Sequence, residues 1–291
     1  MRKILLVVFS SWISIQVITG QKVIPIWKGT GVVKKKVTMT EFLPENGDGT
    51  AVIICPGGSY CWLSKTVEGT DVAKALNEYG IAAYVLHYRT AGWAAFAWHT
   101  RVFGGGNHHP YMIQDLQRAI MLVKKKYKNV GLMGFSAGGH LVLTAAEYYR
   151  TNFLAPLGIV PEVSLRPAFV AAVYPVVSFT APCTHRRSRR GLLGEYQKND
   201  PVMRDSLSME LHAQLIDCPV FITNCKDDPI VKFHNSELLD SALTIHHKSH
   251  LYVPYPTGGH GFGVSKNHWL EKWIQYLRKE KNKKDDTTQS F

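Results

Sequence analysis

Residues 134–138 read Gly-Phe-Ser-Ala-Gly, between an apolar run at 130–133 and an Ala/Leu-rich, helix-forming stretch at 139–149. A strand that passes into a helix through a serine held between small residues leaves the backbone little choice. The turn is so tight that side chains at either glycine would clash. Its strain lifts the hydroxyl clear of the sheet edge, in front of the positive end of the following helix. The pentapeptide alone occurs by chance, and a glycine turn with an exposed serine is the plainer interpretation. The buried strand before it and the helix after it favour a nucleophile elbow at Ser136.

The rest of the chain alternates in the same manner. Short apolar segments at 51–55, 81–87, 130–133, 169–173, 220–223 and 250–254 read as strands. Amphipathic stretches at 67–79, 111–126, 139–149, 234–243 and 267–279 read as helices, and 206–216 is mixed. Apolar strands separated by helices imply an α/β fold with a parallel sheet covered on both faces. Residues 36–42 are expected to add an antiparallel edge strand. With no internal repeat and no Pro/Ser-rich linker, 21–291 reads as one domain whose charged end, 281–291, is frayed.

The first residues, Met1-Arg2-Lys3 and then apolar 4–18, have the basic and apolar regions of a signal peptide, expected to span 1–20. Ile18 departs from the small-residue rule for cleavage, and an uncleaved anchor is the alternative. The run is short for spanning a bilayer, and no other segment is apolar enough to cross one, so the expected location is secreted or periplasmic. Five cysteines, Cys55, Cys61, Cys183, Cys218 and Cys225, form no C-x-x-C pair and no zinc spacing. Pairs 55–61 and 218–225 are within reach of bridging, and burial as small apolar side chains is the alternative. The net charge of +12 comes from scattered basic runs, among them 186–190, without interleaved aromatics. That pattern argues against nucleic acid as a partner; solvated faces are the plainer interpretation, with an acidic polysaccharide or an anionic envelope as alternatives.

A serine needs a base and an orienting carboxylate to become a nucleophile. In sheets with such an elbow they follow in the order serine, acid, histidine, on loops after later strands. After 220–223 the chain offers Asp227 and Asp228. Asp228 lies in the D-x-x-V turn and is preferred, with Asp227 as fallback and a turn-capping aspartate as the plainer interpretation of either. After 250–254 comes Gly-Gly-His-Gly-Phe-Gly, which places His260 in a glycine loop able to curl over the sheet edge. Donors for an oxyanion are expected from the amides of Gly58 and Ser59, in Pro56-Gly57-Gly58-Ser59-Tyr60, together with that of Ala137. No metal-ligand pattern such as H-E-x-x-H appears, so neither a metal nor a cofactor is expected. The long 90–110 segment leaves the C-terminal end of a strand, where ligands bind in open α/β sheets. Its Trp93 and Trp98, with Tyr60, are candidate substrate contacts. A small satellite core is the competing interpretation of the tryptophans.

These stretches, with 110–119 around Asp115, 166–175, Leu192-Leu193-Gly194 and Ser208-Met209-Glu210, resemble α/β-hydrolase fold esterases of the acetyl-xylan and carbohydrate esterase type. The resemblance runs from about residue 51 to the final helix. It implies a mostly parallel central sheet with helices on both faces, Ser136 as nucleophile, Asp228 as acid and His260 as base. It also implies hydrolysis of acetyl groups on plant cell-wall sugars, with an acetylated carbohydrate as partner. The oxyanion loop departs from the pattern, reading Gly-Gly-Ser where many relatives have three glycines. Competing functions are a lipase or peptidase on the same scaffold, or a catalytically idle carbohydrate binder. A lipase calls for a more apolar lid, an exopeptidase usually carries a propeller domain that this length excludes, and the serine, acid and histidine together argue against a binder.

Overall fold

The protein is described by a computed structural model covering residues 21–32, 36–97 and 106–289. The expected signal segment, and Trp98 of the aromatic loop, lie outside the described residues. Strands β1 (Lys22–Pro25), β2 (Thr38–Phe42), β3 (Thr50–Cys55), β4 (Ala82–His87), β5 (Asn129–Phe135), β6 (Val170–Val173), β7 (Val220–Cys225) and β8 (His250–Tyr255) form one sheet. Their order is β1-β2-β4-β3-β5-β6-β7-β8. From β4 onward the neighbours are parallel, while β1 and β2 extend the β4 edge antiparallel, as expected for the second of them.

The strands are continuous apolar runs because both faces of the sheet are covered. All six residues of β3 are buried, and strand alternation sends them to opposite sides. Ala51 and Ile53 join Leu116, Ile120, Leu141, Leu239 and Leu243 of helices α3 (Tyr111–Lys124), α4 (Ala137–Glu147) and α7 (His234–Ile245). Val52 and Ile54 join Val72, Leu76, Trp269 and Trp273 of α1 (Asp71–Glu78) and α8 (Trp269–Gln289). Each buried Val, Leu or Ile among them contributes about 1.5–3 kcal/mol of burial.

Three further helices break this plan: α2 (Trp93–Ala97), α5 (Arg186–Gln197) and α6 (Pro201–Ser206). None has an apolar stripe that sequence periodicity would reveal. In α5 only Leu192 and Leu193 among the large apolar residues are buried, and Gly194 breaks its helical dihedrals with φ 75°. The final helix continues to Gln289, through residues where a frayed tail was expected. All five cysteines are free and buried, so neither bridge forms and burial was the correct alternative. Asp115, fully buried on α3, takes Arg89 in a two-pronged ion pair and the indole N–H of Trp27 at 2.7 Å. That pair anchors the end of β4, where the aromatic loop begins.

Candidate active site

Chain order places the site. After β3 the chain moves outward to β4, then returns to the other side of β3 as β5, with Cys55 beside Gly134. Loops leaving a sheet at such a reversal diverge and open a crevice between them. Residues 56–60 form one wall and the turn at Ser136 the other.

Ser136 adopts φ 53°, ψ −118°, a conformation that costs about 1–3 kcal/mol unless its surroundings impose it. Here they do. Its N–H donates to Val173 O (3.0 Å) and its carbonyl accepts from His140 N (3.2 Å) and Val176 N (3.1 Å). The pentapeptide glycines follow from sterics. A Cβ on Gly134 would collide with Gly138 O, and one on Gly138 with Cys55 O. A Cβ on Gly57 would come within 2.9 Å of the Ser136 Cβ, so that position must also be bare.

Asp228 and His260 arrive from the ends of β7 and β8. The Asp228 carboxylate is fully buried; its Oδ2 lies 2.6 Å from His260 Nδ1, and its Oδ1 accepts from the amides of Ile230 (2.8 Å) and Val231 (2.9 Å). A carboxylate only accepts, so Nδ1 carries a proton, and the tautomer with that single proton leaves Nε2 bare. That atom faces Ser136 Oγ at 3.0 Å. Asp227 does a different task. Its oxygens accept from Gly258 N (3.1 Å) and Gly259 N (2.8 Å), fastening the glycine loop that carries His260.

A second layer escaped the sequence reading. Glu68, buried in a π-helical turn at Thr66–Thr70, accepts from Gly57 N through Oε2 and from the Tyr174 hydroxyl through Oε1, both at 2.8 Å. The Tyr174 hydroxyl accepts in turn from Gly263 N (3.3 Å), and its ring lies 4.6 Å from that of His260. One carboxyl thus ties the 56–60 loop to the histidine loop. Burial pushes the Glu68 carboxyl up, partly offset by Tyr174 and the Gly57 amide. A lone Glu among Thr, Val and Gly carries no pattern that marks this role.

The 56–60 loop turns sharply. Gly58 has φ 130°, Ser59 φ 55° and Tyr60 φ 62°, while Cys61 N (2.8 Å) and Trp62 N (3.1 Å) both donate to Gly58 O. Among the described residues the amides of Gly58, Ser59 and Ala137 have no protein acceptor, and that of Ala137 heads α4, where no intrahelical acceptor exists. Beside Ser136 these N–H groups suit a developing oxyanion.

Tyr60 must be corrected. It is fully buried, with its hydroxyl 2.8 Å from His140 Nδ1. His140 Nε2 faces Leu207 O (2.9 Å) and must donate there. Burial lowers the His140 pKa to about 4, so the ring is neutral and accepts the Tyr60 O–H at Nδ1. Tyr60 braces the loop from below and has no surface to offer a substrate. Trp93 has: it is 63% exposed and stacks on Trp62, with centroids 5.0 Å apart and planes 10° apart. His185, at the start of α5, also approaches the site. Burial and then the charge of His260 lower its pKa to about 4.

Fold and geometry together define a class, the ester hydrolases of the α/β-hydrolase fold. Comparison with known proteins narrows it: BD-FAE matches residues 42–243, and the chain belongs to that family. It is 29% identical over 253 residues to an acetylxylan esterase of Xylanibacter ruminicola, covering 83% of this chain and 45% of that protein. It is 28% identical over 229 residues to endo-1,4-beta-xylanase B of Butyrivibrio fibrisolvens, covering 76% and 34%. The chain thus spans less than half the length of both curated relatives. Among solved structures, an acetyl ester-xyloside bifunctional hydrolase from Caldicellulosiruptor lactoaceticus superposes with a TM-score of 0.70 at 27% identity, covering 89% of this chain and 94% of that one.

Proposed function

We propose that the protein is an exported serine esterase that removes acetyl groups from plant cell-wall oligo- or polysaccharides. The observation that carries this reading is the unbroken relay from Asp228 through His260 to Ser136, at 2.6 and 3.0 Å. In it, Ser136 Oγ attacks the ester carbonyl as His260 Nε2 takes its proton. The amides of Gly58, Ser59 and Ala137 hold the oxyanion, each worth roughly 3–4 kcal/mol in the transition state. His260 then protonates the leaving sugar oxygen. The acetyl group stays on Ser136 until a water, deprotonated by the same nitrogen, releases acetate.

The carbohydrate assignment draws on the Trp62–Trp93 platform beside the 56–60 loop, since aromatic faces suit the C–H surfaces of sugar rings. It draws also on relatives whose names include acetylxylan esterase and xylanase. Export rests on the basic and apolar residues 1–20. Among the described residues no helix is long and apolar enough to cross a membrane. The test is acetate release from acetylated xylan, glucomannan, chitooligosaccharide and pectin by wild type and Ser136→Ala. Release from at least one polysaccharide, lost by several orders of magnitude in a folded Ser136→Ala, is expected. Near-normal turnover by that variant removes the assignment.

A further inference from the structure

The helix α5 does more than fill space. Its Gly191 lies so close to the 56–60 loop that an added Cβ would collide with Ser59 O. The first turns of α5, the 180–184 loop, Lys198 and Asn199 after α5, and Arg204 in the last turn of α6 line an open cavity of 650 Å³. Arg186, Arg189, Arg190, Lys198 and Arg204 line it, and no Asp or Glu does.

Five cations around one cavity repel one another unless anions compensate. Glu195 serves two of them, pairing with Lys198 and, at 3.6 Å, with Arg190. No carboxylate among the described residues lies within ion-pair distance of Arg186, Arg189 or Arg204. Arg189 and Arg204 instead converge on a single backbone oxygen. Arg189 Nη1 donates to Phe179 O at 3.0 Å and Arg204 Nε to the same atom at 2.8 Å. The Nε of Arg189 is buried without an acceptor among the described residues. Burial first, and then the neighbouring charges of Arg204 and Arg186, push the Arg189 pKa down. A guanidinium fork matches a planar carboxylate.

We infer that this cavity binds the carboxylate of a hexuronate residue carried on the same glycan as the ester cleaved at Ser136, so that the enzyme selects acidic over neutral acetylated chains. The inference rests on the proposed esterase reaction and names its substrate class more closely. A neutral platform at Trp62 and Trp93 and a cationic cavity at Arg186 and Arg189 then read two features of one chain.

The test compares two xylo-oligosaccharides of equal length, with and without a hexuronate side group. Acetylated forms give kcat/KM for acetate release, and deacetylated forms give Kd by calorimetry. Wild type is expected to favour the acidic member by about tenfold or more in both, with a preference that shrinks as ionic strength rises. Arg186→Gln, at an exposed position, and Arg189→Lys, which keeps the charge and loses the fork, should bring both ratios toward one. Lys125→Gln, an equal loss of charge at a remote exposed site, should keep them. Selective binding without acetate release would remove the proposed reaction and still support the anion site. Acetate release with equal binding of the two sugars overturns the site. A preference that survives both arginine variants overturns it too, as does inorganic phosphate that competes as well as the acidic oligosaccharide.

Discussion

The geometry around Asp228 makes Asp228→Asn more informative than removal of the side chain. Oδ1 accepts from the amides of Ile230 and Val231, at 2.8 and 2.9 Å. Asparagine must keep its single carbonyl oxygen there, since turning the amide over would set its N–H₂ against two N–H donors in a buried site. Its nitrogen then occupies the Oδ2 position, 2.6 Å from His260 Nδ1 in the wild type, and donates where the carboxylate accepted. His260 responds by giving up the Nδ1 proton and carrying it on Nε2. That tautomer cannot accept the proton of Ser136. In a serine protease the same substitution lowers kcat roughly 10⁴-fold, about 5.4 kcal/mol at 1.36 kcal/mol per factor of ten, and a loss of that order is expected here. Asp227→Asn keeps one of two exposed hydrogen bonds to the Gly258–Gly259 turn, and should cost well under the loss seen at Asp228. The assay is kcat/KM on 4-nitrophenyl acetate, with circular dichroism to establish that both variants fold. Activity of Asp228→Asn within about tenfold of wild type, or a larger loss at Asp227, would refute the tautomer reasoning.

Glu68→Gln can still accept from only one of Gly57 N and Tyr174 O–H, so kcat on 4-nitrophenyl acetate should fall about 10–100-fold with little change in KM; an unchanged kcat would show that the bridge between the two loops is dispensable. Trp93→Ala should lower kcat/KM on acetylated xylo-oligosaccharides about tenfold, roughly the value of one ring stack, while hydrolysis of 4-nitrophenyl acetate barely changes. Equal losses on both substrates, with a lower melting temperature, would mean that the stacked indoles only hold the loop. Glu147 has both carboxyl oxygens buried without a partner among the described residues, and burial, then Glu210, raise its pKa well above the usual 4.5. A raised folded-state pKa favours folding below the unfolded value and costs stability as pH climbs toward the folded one. Glu147→Met should therefore stabilise by about 1–3 kcal/mol near pH 8 and less near pH 4.5, and an equal shift in melting temperature at both would contradict this.

What the sequence disclosed, and what it concealed, follows from how far each feature reaches. The elbow was legible because its sequence pattern is local, an apolar strand, two bare glycines and the helix after them, although distant partners such as Val173, Val176 and Cys55 also hold the turn. Asp228 and His260 were legible because the fold orders its loops, and the preference for Asp228 over Asp227 agrees with a geometry in which only Asp228 reaches the ring. Tyr60 was misplaced because sequence shows that it belongs to the loop and not which way its ring points; that depends on His140, eighty residues away in the chain, whose neutral Nδ1 draws the hydroxyl inward. Glu68 was missed for the same reason, since its partners Gly57 and Tyr174 lie on two other loops. The helix α5 hid behind its own composition. A run of arginines with two leucines gives no apolar period, and what makes it a helix is contact with the 56–60 loop at Gly191 and with His108, whose Nδ1 lies 3.0 Å from Gly191 O. The common core needs buried strands and an elbow, and both write themselves into local pattern. The parts that would tell one glycan from another are set by contacts between segments far apart in the chain, and these leave almost no local mark.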